Sequence, residues 1–249
     1  LVYHTCPSAE SKVRQGVTTE VVGMCGFSPA PIAPGRADMV RDWIGGSGDK
    51  PPATWQTFTQ YLDHVRGLGL SVNVVQFVGH GALRLATAGA ENRPVTPDEQ
   101  KQMERHIDDA MDAGAFGYST GLVYAPSVFS STEELVALAR SMAKKKGLYF
   151  SHIRGEAGTL EPALAEAIRI GEEAGVPVQV AHVKASGREN WGKMDRALRM
   201  FDAARARGVD VTGDAYPYPA GSTKMDSLLP GSMQDGGIAK LLDRLADPK

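Results

Sequence analysis

Cys25, His152 and His182 are the residues of this sequence whose types best suit metal chemistry, and each lies at or just after the end of an apolar, strand-like run. Two imidazoles and a thiolate favour a borderline-soft divalent ion, with zinc first. A catalytic zinc usually takes three protein ligands and keeps one position for water, whose pKa falls to about 7. The three residues therefore predict a zinc site if their strands end at the same place.

Cys25 lies in a segment that can bring its sulfur close to a metal. Gly23 and Gly26 flank it, and Pro29 and Pro31 follow. Glycines allow a sharp turn and leave space beside the sulfur. The competing interpretation is a small buried hydrophobe for the cysteine and hydrogen-bonded structural roles for the histidines. The agreement of three strand-end positions favours the metal site.

The other histidines and the second cysteine have weaker claims to ligation. His80 also ends a strand-like run, in "VGHG", and could orient its neighbours or line a pocket without touching a metal. His64 and His106 fall inside helical patterns, which predicts surface positions. His4 and Cys6 belong to an irregular N-terminal stretch, and we expect no metal there.

Alternating strand and helix patterns must position these residues. Strands are predicted at 16–24, 71–80, 115–123, 148–154, 176–184 and 209–218, and amphipathic helices at about 55–68, 97–113, 132–146, 159–174 and 190–207. Capping-box patterns begin at Thr96 and at Ser131, the latter with Glu134. Such alternation predicts a parallel sheet with helical crossovers.

The spacing of about 30 residues between the last three strands suits a (β/α) barrel better than an open, doubly wound sheet. We find no GxGxxG or GxxxxGK[ST] motif that would favour the open sheet. In a barrel the carboxyl ends of all strands face one rim, so the three metal candidates would meet there. The whole of 1–249 is expected to be one barrel domain. Its Pro/Gly-rich insertion at 31–54 predicts a mobile lid with few helix or strand pairings.

Composition excludes several classes of partner. The formal net charge is −2 and the charged fraction is 22%, which gives no basic patch for nucleic acid or for an anionic membrane. No apolar run has the length of a membrane span, and no signal peptide is recognisable. Two cysteines do not make a disulfide framework, so we expect a reducing, cytoplasmic setting.

Several longer motifs resemble those of one family. "GVTTEVVGMCGFSPAP", "GHGALR", "GAFGYSTGLVYAP", "SHIRGE", "VPVQVAHVKASG" and "GDAYPYPAGST" occur in the order found in the N-acyl-D-amino-acid deacylases (D-aminoacylases) of the amidohydrolase superfamily. The resemblance implies an α/β fold, a metal-dependent (β/α)8 barrel of the TIM type that carries a small β-domain. It also implies hydrolysis of a small-molecule N-acyl-D-amino acid to a carboxylate and a D-amino acid.

The resemblance also assigns residues. It implies that Cys25, His152 and His182 are the metal ligands. It further implies that the substrate's carboxylate and acyl group contact Tyr124, Lys184, Tyr216 and Ser222. Lys184 suits this role because it follows His182 by two residues and offers a cation to a carboxylate. A salt bridge at the rim is the alternative for Lys184.

This chain departs from the family pattern in several ways. Met24 replaces the family's Asn before the cysteine, and no H-x-H pair occurs, so one zinc is expected rather than two. The six predicted strands match the family's second to seventh. The first and eighth strands, the general-base Asp of the eighth and the small β-domain have no counterpart here. We therefore expect an incomplete barrel, a fragment whose own activity is low or absent, and self-association through the edge strands near 16–24 and 209–218.

Three functions follow from these features. The leading hypothesis is zinc-dependent hydrolysis of linear N-acyl-D-amino acids. The second is a non-catalytic fragment that binds metal or ligand. The third is a cyclic-amide hydrolase of the same superfamily, against which "YPYPAGST" argues by resemblance.

Overall fold

The protein is described here by a computed structural model that covers residues 2–45 and 52–247. The strands are β1 Thr19–Val22, β2 Asn73–Gln76, β3 Val78–Gly79, β4 Gly117–Gly121, β5 Leu148–His152, β6 Val178–Val180 and β7 Val211–Gly213. The α-helices are α1 Glu10–Val13, α2 Ala37–Ile44, α3 Phe58–Arg66, α4 His80–Thr87, α5 Pro97–Ala113, α6 Thr132–Ala143, α7 Leu160–Ala174, α8 Met194–Ala206 and α9 Ile238–Ala246. Short 3-10 turns occur at Val2–His4, Ser127–Phe129, Arg188–Lys193, Met225–Leu228 and Gly231–Gln234.

All strand pairs in the described residues are parallel. β1 pairs with β2, and β3, β4, β5, β6 and β7 form a second sheet in chain order. The predicted strand at 71–80 is divided, since Phe77 separates β2 from β3. The predicted α/β fold with parallel strands is confirmed, and the chain order is that of consecutive βα units in an incomplete barrel.

The strands at the two ends of this order pair on one side only within the described residues. β1 is hydrogen-bonded to β2, and β7 to β6. Unpaired strand edges favour association with another chain. Self-association through these edges stays a prediction.

The core lies between the strands and the helices that cover them. Every residue of β4 is buried, as expected for a parallel strand enclosed on both faces. Apolar side chains of the strands pack against those of the helices, among them Val78, Tyr118, Tyr149, Val178, Leu83, Met103, Ile107, Leu135, Leu138, Leu164 and Ile168. No helix in the described part of the chain is long and apolar enough to cross a membrane.

Local capping signals were correct at α5 and only half correct at α6. At α5, Thr96 and Glu99 form the complete predicted capping box. At α6, the Ser131 side chain accepts a hydrogen bond from the Glu134 N–H, as predicted. The Glu134 carboxylate does not return to Ser131, because it is hydrogen-bonded to His80 and Arg84 in the core. Tertiary pairing has therefore replaced the second half of the capping box.

The segment 31–54 is more ordered in its hydrogen bonding than the sequence indicated. Helix α2 occupies Ala37–Ile44, so the expectation of few helix or strand pairings is wrong for these residues. Val40 and Ile44 are buried, since the polar and apolar residues of α2 segregate onto opposite faces. Residues 46–51 lie outside the described residues, and the function of the segment as a lid stays a prediction.

Candidate metal centre

Cys25, His152 and His182 meet at one point, as the strand-end argument predicts. Their ligand atoms all lie within 4.8 Å of one another. His182 Nε2 is 3.0 Å from His152 Nδ1. Within 2–45 and 52–247 this is the one group of three or more His, Cys, Asp or Glu side chains that could hold a metal. We call it the Cys-His-His cluster.

The loop after β1 brings Cys25 to the cluster through a left-handed turn. Cys25 has φ 54°, between Gly23 at 81° and Gly26 at 78°. Ser119 of β4 holds both sides of the turn, because its Oγ accepts from the Gly26 N–H at 3.1 Å and donates to the Gly23 carbonyl. A Cβ added at Gly121 would lie 2.1 Å from the Cys25 carbonyl oxygen. The loop therefore rests directly on the backbone of β4.

The two histidines come from neighbouring parallel strands. His152 is the last residue of β5 and is 8% exposed. His182 lies two residues beyond β6 and has φ 36°, an unusual backbone conformation for a residue other than glycine. Its N–H donates to Asp214 Oδ1 at 2.6 Å, and Gln179 Nε2 donates to Asp214 Oδ2 at 2.8 Å. Asp214, just after β7, thus stabilises the turn that carries His182.

The spacing and chemistry of the cluster fit zinc. Two nitrogens bound tetrahedrally to one zinc at about 2.0–2.1 Å lie about 3.3 Å apart, close to the 3.0 Å between the histidine nitrogens. Burial lowers the pKa of His152 to about 4, with a further contribution from His182, so its imidazole is neutral near pH 7. Burial, with the carboxylates of Glu156 and Asp214, raises the pKa of Cys25 to about 11. A thiol in this position ionises near neutral pH only if a cation compensates its charge.

Glu156, to which the sequence motifs assign no role, belongs to the same site. Its Oε1 lies 2.7 Å from His182 Nδ1 and 2.6 Å from Lys184 Nζ. Burial by itself would raise the pKa of Glu156, but the neighbouring His182 and Lys184 outweigh it and hold this pKa below its usual value. The "SHIRGE" motif contained the only signal, a carboxylate four residues after a strand-end histidine.

The predicted substrate-binding residues surround the cluster to different degrees. Lys184 Nζ is 3.1 Å from His182 Nδ1 and 5.2 Å from the centre of the Tyr216 ring. The ring of Tyr124 meets that of His152 edge-on, with centroids 5.1 Å apart. Ser222 is exposed, and no hydrogen bond joins it to the cluster within the described part of the chain. The structure therefore brings three of the four residues together, with Ser222 beyond them.

Comparison with known proteins agrees with this arrangement. No family model matches the chain. The D-aminoacylase of Alcaligenes xylosoxydans xylosoxydans is 39% identical over 220 residues, which are 88% of this chain and 45% of the relative. The N-acyl-D-glutamate deacylase of the same organism is 39% identical over 225 residues, with 90% and 45% covered. The chain belongs to the D-aminoacylase family.

A solved structure shares the fold. The N-acyl-D-glutamate deacylase from Bordetella bronchiseptica, in complex with zinc and a phosphonate inhibitor, has a TM-score of 0.79 and 36% identity. The match covers 88% of this chain and 45% of that structure. The chain spans about half the length of the curated D-aminoacylase relatives that it matches.

In this member of the D-aminoacylase family, an aromatic wall flanks the cluster. Phe27, two residues after Cys25, stacks on Trp43 of α2 with centroids 4.5 Å apart, and Tyr124 lies 5.1 Å from Phe27. Lys224 Nζ lies 4.6 Å from the centre of the Phe27 ring. The segment 31–54 thus contributes a side chain to the surroundings of the site through Trp43.

His80 lies outside the cluster, in agreement with its alternative role of orienting neighbours. It is fully buried, and burial lowers its pKa, so the ring is neutral. Its Nε2 is 2.9 Å from Glu134 Oε1 and its Nδ1 is 2.9 Å from Ser127 Oγ. Arg84 Nη1 donates to Glu134 Oε2 at 2.8 Å. These residues form a buried network, which we call the Glu134 network.

His64 and His106, which were expected at the surface, are exposed only in part. Both are partly buried, and the pKa of His106 is lowered by burial. His64 Nε2 lies 3.1 Å from His4 Nδ1, and both rings pack on Trp55. This contact joins the N-terminal stretch to α3, which the helical pattern of His64 alone could not indicate.

Proposed function

We propose that this chain carries the zinc site of an N-acyl-D-amino-acid deacylase, which hydrolyses the amide bond to a carboxylate and a D-amino acid. The observation that carries the proposal is the convergence of Cys25, His152 and His182 within 4.8 Å beside the cation of Lys184. A half-buried thiol with two imidazoles suits zinc better than a hard cation.

Each side chain has a distinct task in this proposal. Cys25, His152 and His182 hold the ion. When bound, zinc supplies a Lewis acid that polarises an amide carbonyl and lowers the pKa of water. Lys184 offers a charge-assisted hydrogen bond to the carboxylate of the substrate. The hydroxyl of Tyr216 is available as a second donor, and the ring of Tyr124 bounds the space beside His152.

The relatives support both the metal and the substrate class. They are described as a D-aminoacylase, an N-acyl-D-glutamate deacylase and an N-acyl-D-aspartate deacylase. The related structure binds zinc and a phosphonate that mimics the tetrahedral intermediate of the reaction. We extend the shared reaction, amide hydrolysis of an N-acyl-D-amino acid, to the present chain.

The same proposal includes the architecture and the setting. The βα units would form one barrel domain over 1–249, and the segment 31–54 would close over the site. Trp43 supports the second point, because it packs on Phe27 close to Cys25. Both cysteines are free thiols, which supports a reducing compartment such as the cytoplasm.

The test begins with zinc content and then asks for stereochemical selection. We expect one zinc per chain in protein purified without chelator, and loss of zinc in Cys25→Ala and His182→Ala variants. The zinc-loaded chain is then titrated calorimetrically with N-acetyl-D-methionine and N-acetyl-D-glutamate, with the L-enantiomers as controls. Release of free D-amino acid is measured in parallel.

Selective binding and release of the D-amino acid would support the proposal, even at the low rate expected from the sequence. A Lys184→Met variant should bind the D-substrates more weakly, while Lys193→Met, a lysine whose ion pair is with Glu161, should not. Zinc content unchanged in the Cys25 and His182 variants would refute the metal site. Zinc binding and D-selective binding without any release would refute hydrolysis and favour the binding-only function.

A further inference from the structure

Lys224 is a partly buried cation at the end of the aromatic wall beside the cluster. It lies in the segment after β7, and its Nζ is 4.6 Å from the centre of the Phe27 ring and 5.7 Å from that of Trp43. The same Nζ donates a hydrogen bond to the Trp43 backbone carbonyl. Among the residues that the structure describes, no carboxylate forms an ion pair with Lys224, although the charge of Asp226 acts on it from farther away.

The charge of this ammonium group is only partly compensated. Burial lowers the pKa of Lys224, and the charge of Asp226 opposes this shift without cancelling it. Aromatic faces and a carbonyl oxygen attract a cation through their partial negative charge, but they do not neutralise it. An ammonium group has three hydrogens, of which the Trp43 carbonyl takes one. Lys224 can therefore donate to an anion that enters beside the rings.

A series of contacts connects Lys224 to the cluster. The ring of Phe27 lies 5.1 Å from that of Tyr124, which in turn meets the His152 ring at 5.1 Å. The residue before Lys224 makes a parallel connection, since the Thr223 hydroxyl lies 3.0 Å from the Tyr124 hydroxyl. The aromatic wall therefore has a candidate metal ligand at one end and a cation at the other.

The two sides of this arrangement are held by separate elements. The Trp43 Nε1–H donates to the Ala125 carbonyl at 2.8 Å, and a Cβ added at Gly81 would lie 2.2 Å from the Trp43 ring. Gln234 attaches the segment after β7 to the same loop, because its Oε1 accepts from the Ala125 N–H at 3.3 Å. Its Nε2 donates to the Leu229 carbonyl at 3.1 Å. The rings and the cation are thus positioned by hydrogen bonds and packing rather than by their own contact alone.

We propose that Lys224 binds the side-chain carboxylate of the substrate, so that the site prefers acidic N-acyl-D-amino acids, such as N-acyl-D-glutamate, to neutral ones. The inference rests on the proposed function and names its substrate class. Lys184 takes the α-carboxylate, the aromatic wall packs against the methylene groups of the side chain, and Lys224 takes the carboxylate at its end. A hydrogen bond between two charged groups is stronger than one between neutral groups, which gives the preference its size.

Two ligands of nearly equal size isolate this charge. N-acetyl-D-glutamate and N-acetyl-D-glutamine share the amide, the α-carboxylate and the length of the side chain, and differ in its terminal carboxylate or neutral amide. Both are titrated calorimetrically into the zinc-loaded full chain at constant ionic strength, with the L-enantiomers as controls. The proteins compared are the wild type, Lys224→Gln, Lys224→Met and the control Lys193→Met.

The variants separate the charge of Lys224 from its structural contact. Lys224→Gln keeps an N–H donor for the Trp43 carbonyl and loses the charge, whereas Lys224→Met loses both. Lys193 is a suitable control because it also donates to a backbone carbonyl, that of Gly158, at 2.6 Å. Its ion pair is with Glu161.

We expect the wild type to bind N-acetyl-D-glutamate about ten- to a hundredfold more tightly than N-acetyl-D-glutamine, the effect of one hydrogen bond to a charged group. This preference should disappear in both Lys224 variants and persist in Lys193→Met. Affinity for N-acetyl-D-glutamine should be the same in Lys224→Gln as in the wild type. A wild type without the preference, or a preference that survives Lys224→Gln, would overturn the proposal. Equal losses for both ligands in Lys224→Gln would also overturn it, because the lysine would then support the site without selecting a charge.

The outcomes distinguish this inference from the proposed function. D-selective binding of both ligands with equal affinity would leave the proposed function standing and overturn the role of Lys224. Absence of D-selective binding for either ligand would refute the proposed function and this inference with it. If Lys224→Met does not fold by circular dichroism, the wild type and Lys224→Gln decide the question.

Discussion

Removal of the Glu134 carboxylate should destabilise the protein strongly, because it would leave a buried cation without its counter-charge. Arg84 is fully buried, and its Nη1 donates to both Glu134 oxygens, at 3.1 Å and 2.8 Å. His80 Nε2 donates to the same carboxylate at 2.9 Å. Burial alone would raise the pKa of Glu134, but the hydrogen bond and charge of its partners hold this pKa below its usual value. The carboxylate is therefore ionised in the folded protein.

The expected magnitude follows from this burial. Loss of one partner from a buried ion pair costs about 3–5 kcal/mol in the free energy of unfolding. For a chain of this length, that corresponds to a fall in Tm of roughly 6–20 °C. The matched control is the adjacent Glu133, whose side chain is 71% exposed and pairs with Arg169 at the surface. Glu133→Ala should change stability far less than Glu134→Ala.

Urea unfolding followed by circular dichroism measures the difference, with the same protein concentration for all variants. A double variant, Arg84→Met with Glu134→Leu, removes both charges and should recover more than half of the lost stability. If Glu134→Ala unfolds within about 1 kcal/mol of wild type, the reasoning about a buried, unpaired Arg84 is refuted. A double variant as unstable as Glu134→Ala would also refute it, because the cost would then not come from the charge.

Three further outcomes are expected. Protein held at a free zinc concentration of 100 times Kd should have a free energy of unfolding about 2.7 kcal/mol higher than the same protein after a chelator has removed the zinc. The stability of the Cys25→Ala variant should not respond to zinc or to chelator. The Gly121→Ala variant should be less stable by about 1–3 kcal/mol and should bind zinc more weakly, because its Cβ would lie 2.1 Å from the Cys25 carbonyl oxygen. The control is Gly158→Ala, whose Cβ would meet no atom within 4 Å, and it should change neither stability nor zinc binding. Burial and the neighbouring His64 lower the pKa of His4 to about 4. Only the unfolded chain then takes up this proton between about pH 6.5 and 4, so the free energy of unfolding falls as the pH falls through this range. The His4→Gln variant should lose about 2 kcal/mol less than the wild type between pH 7 and pH 5 in urea unfolding.

The alternation of strands and helices was predictable from the sequence, because apolar periodicity and capping residues act within a few residues of chain. Each of the six predicted strands contains an observed strand, and Thr96 begins its helix as its capping box indicated. Short-range patterns failed where a helix lacks such signals or follows a strand directly. α2 lies in a segment that its prolines and glycines marked as irregular, and α4 begins at His80 immediately after β3.

The amino-acid sequence by itself determined which side chains could form the site. Cys25 follows β1, and His152 and His182 lie at or just after the ends of the neighbouring strands β5 and β6. Parallel strands of consecutive βα units bring their carboxyl ends to one side. Tertiary structure alone decided the partners of these residues. Glu156 reaches His182 across 26 positions of chain, and Glu134 contacts His80 rather than its own helix terminus. Such pairings depend on how elements distant in sequence pack and on which buried charges need compensation, and no local pattern of residues encodes either.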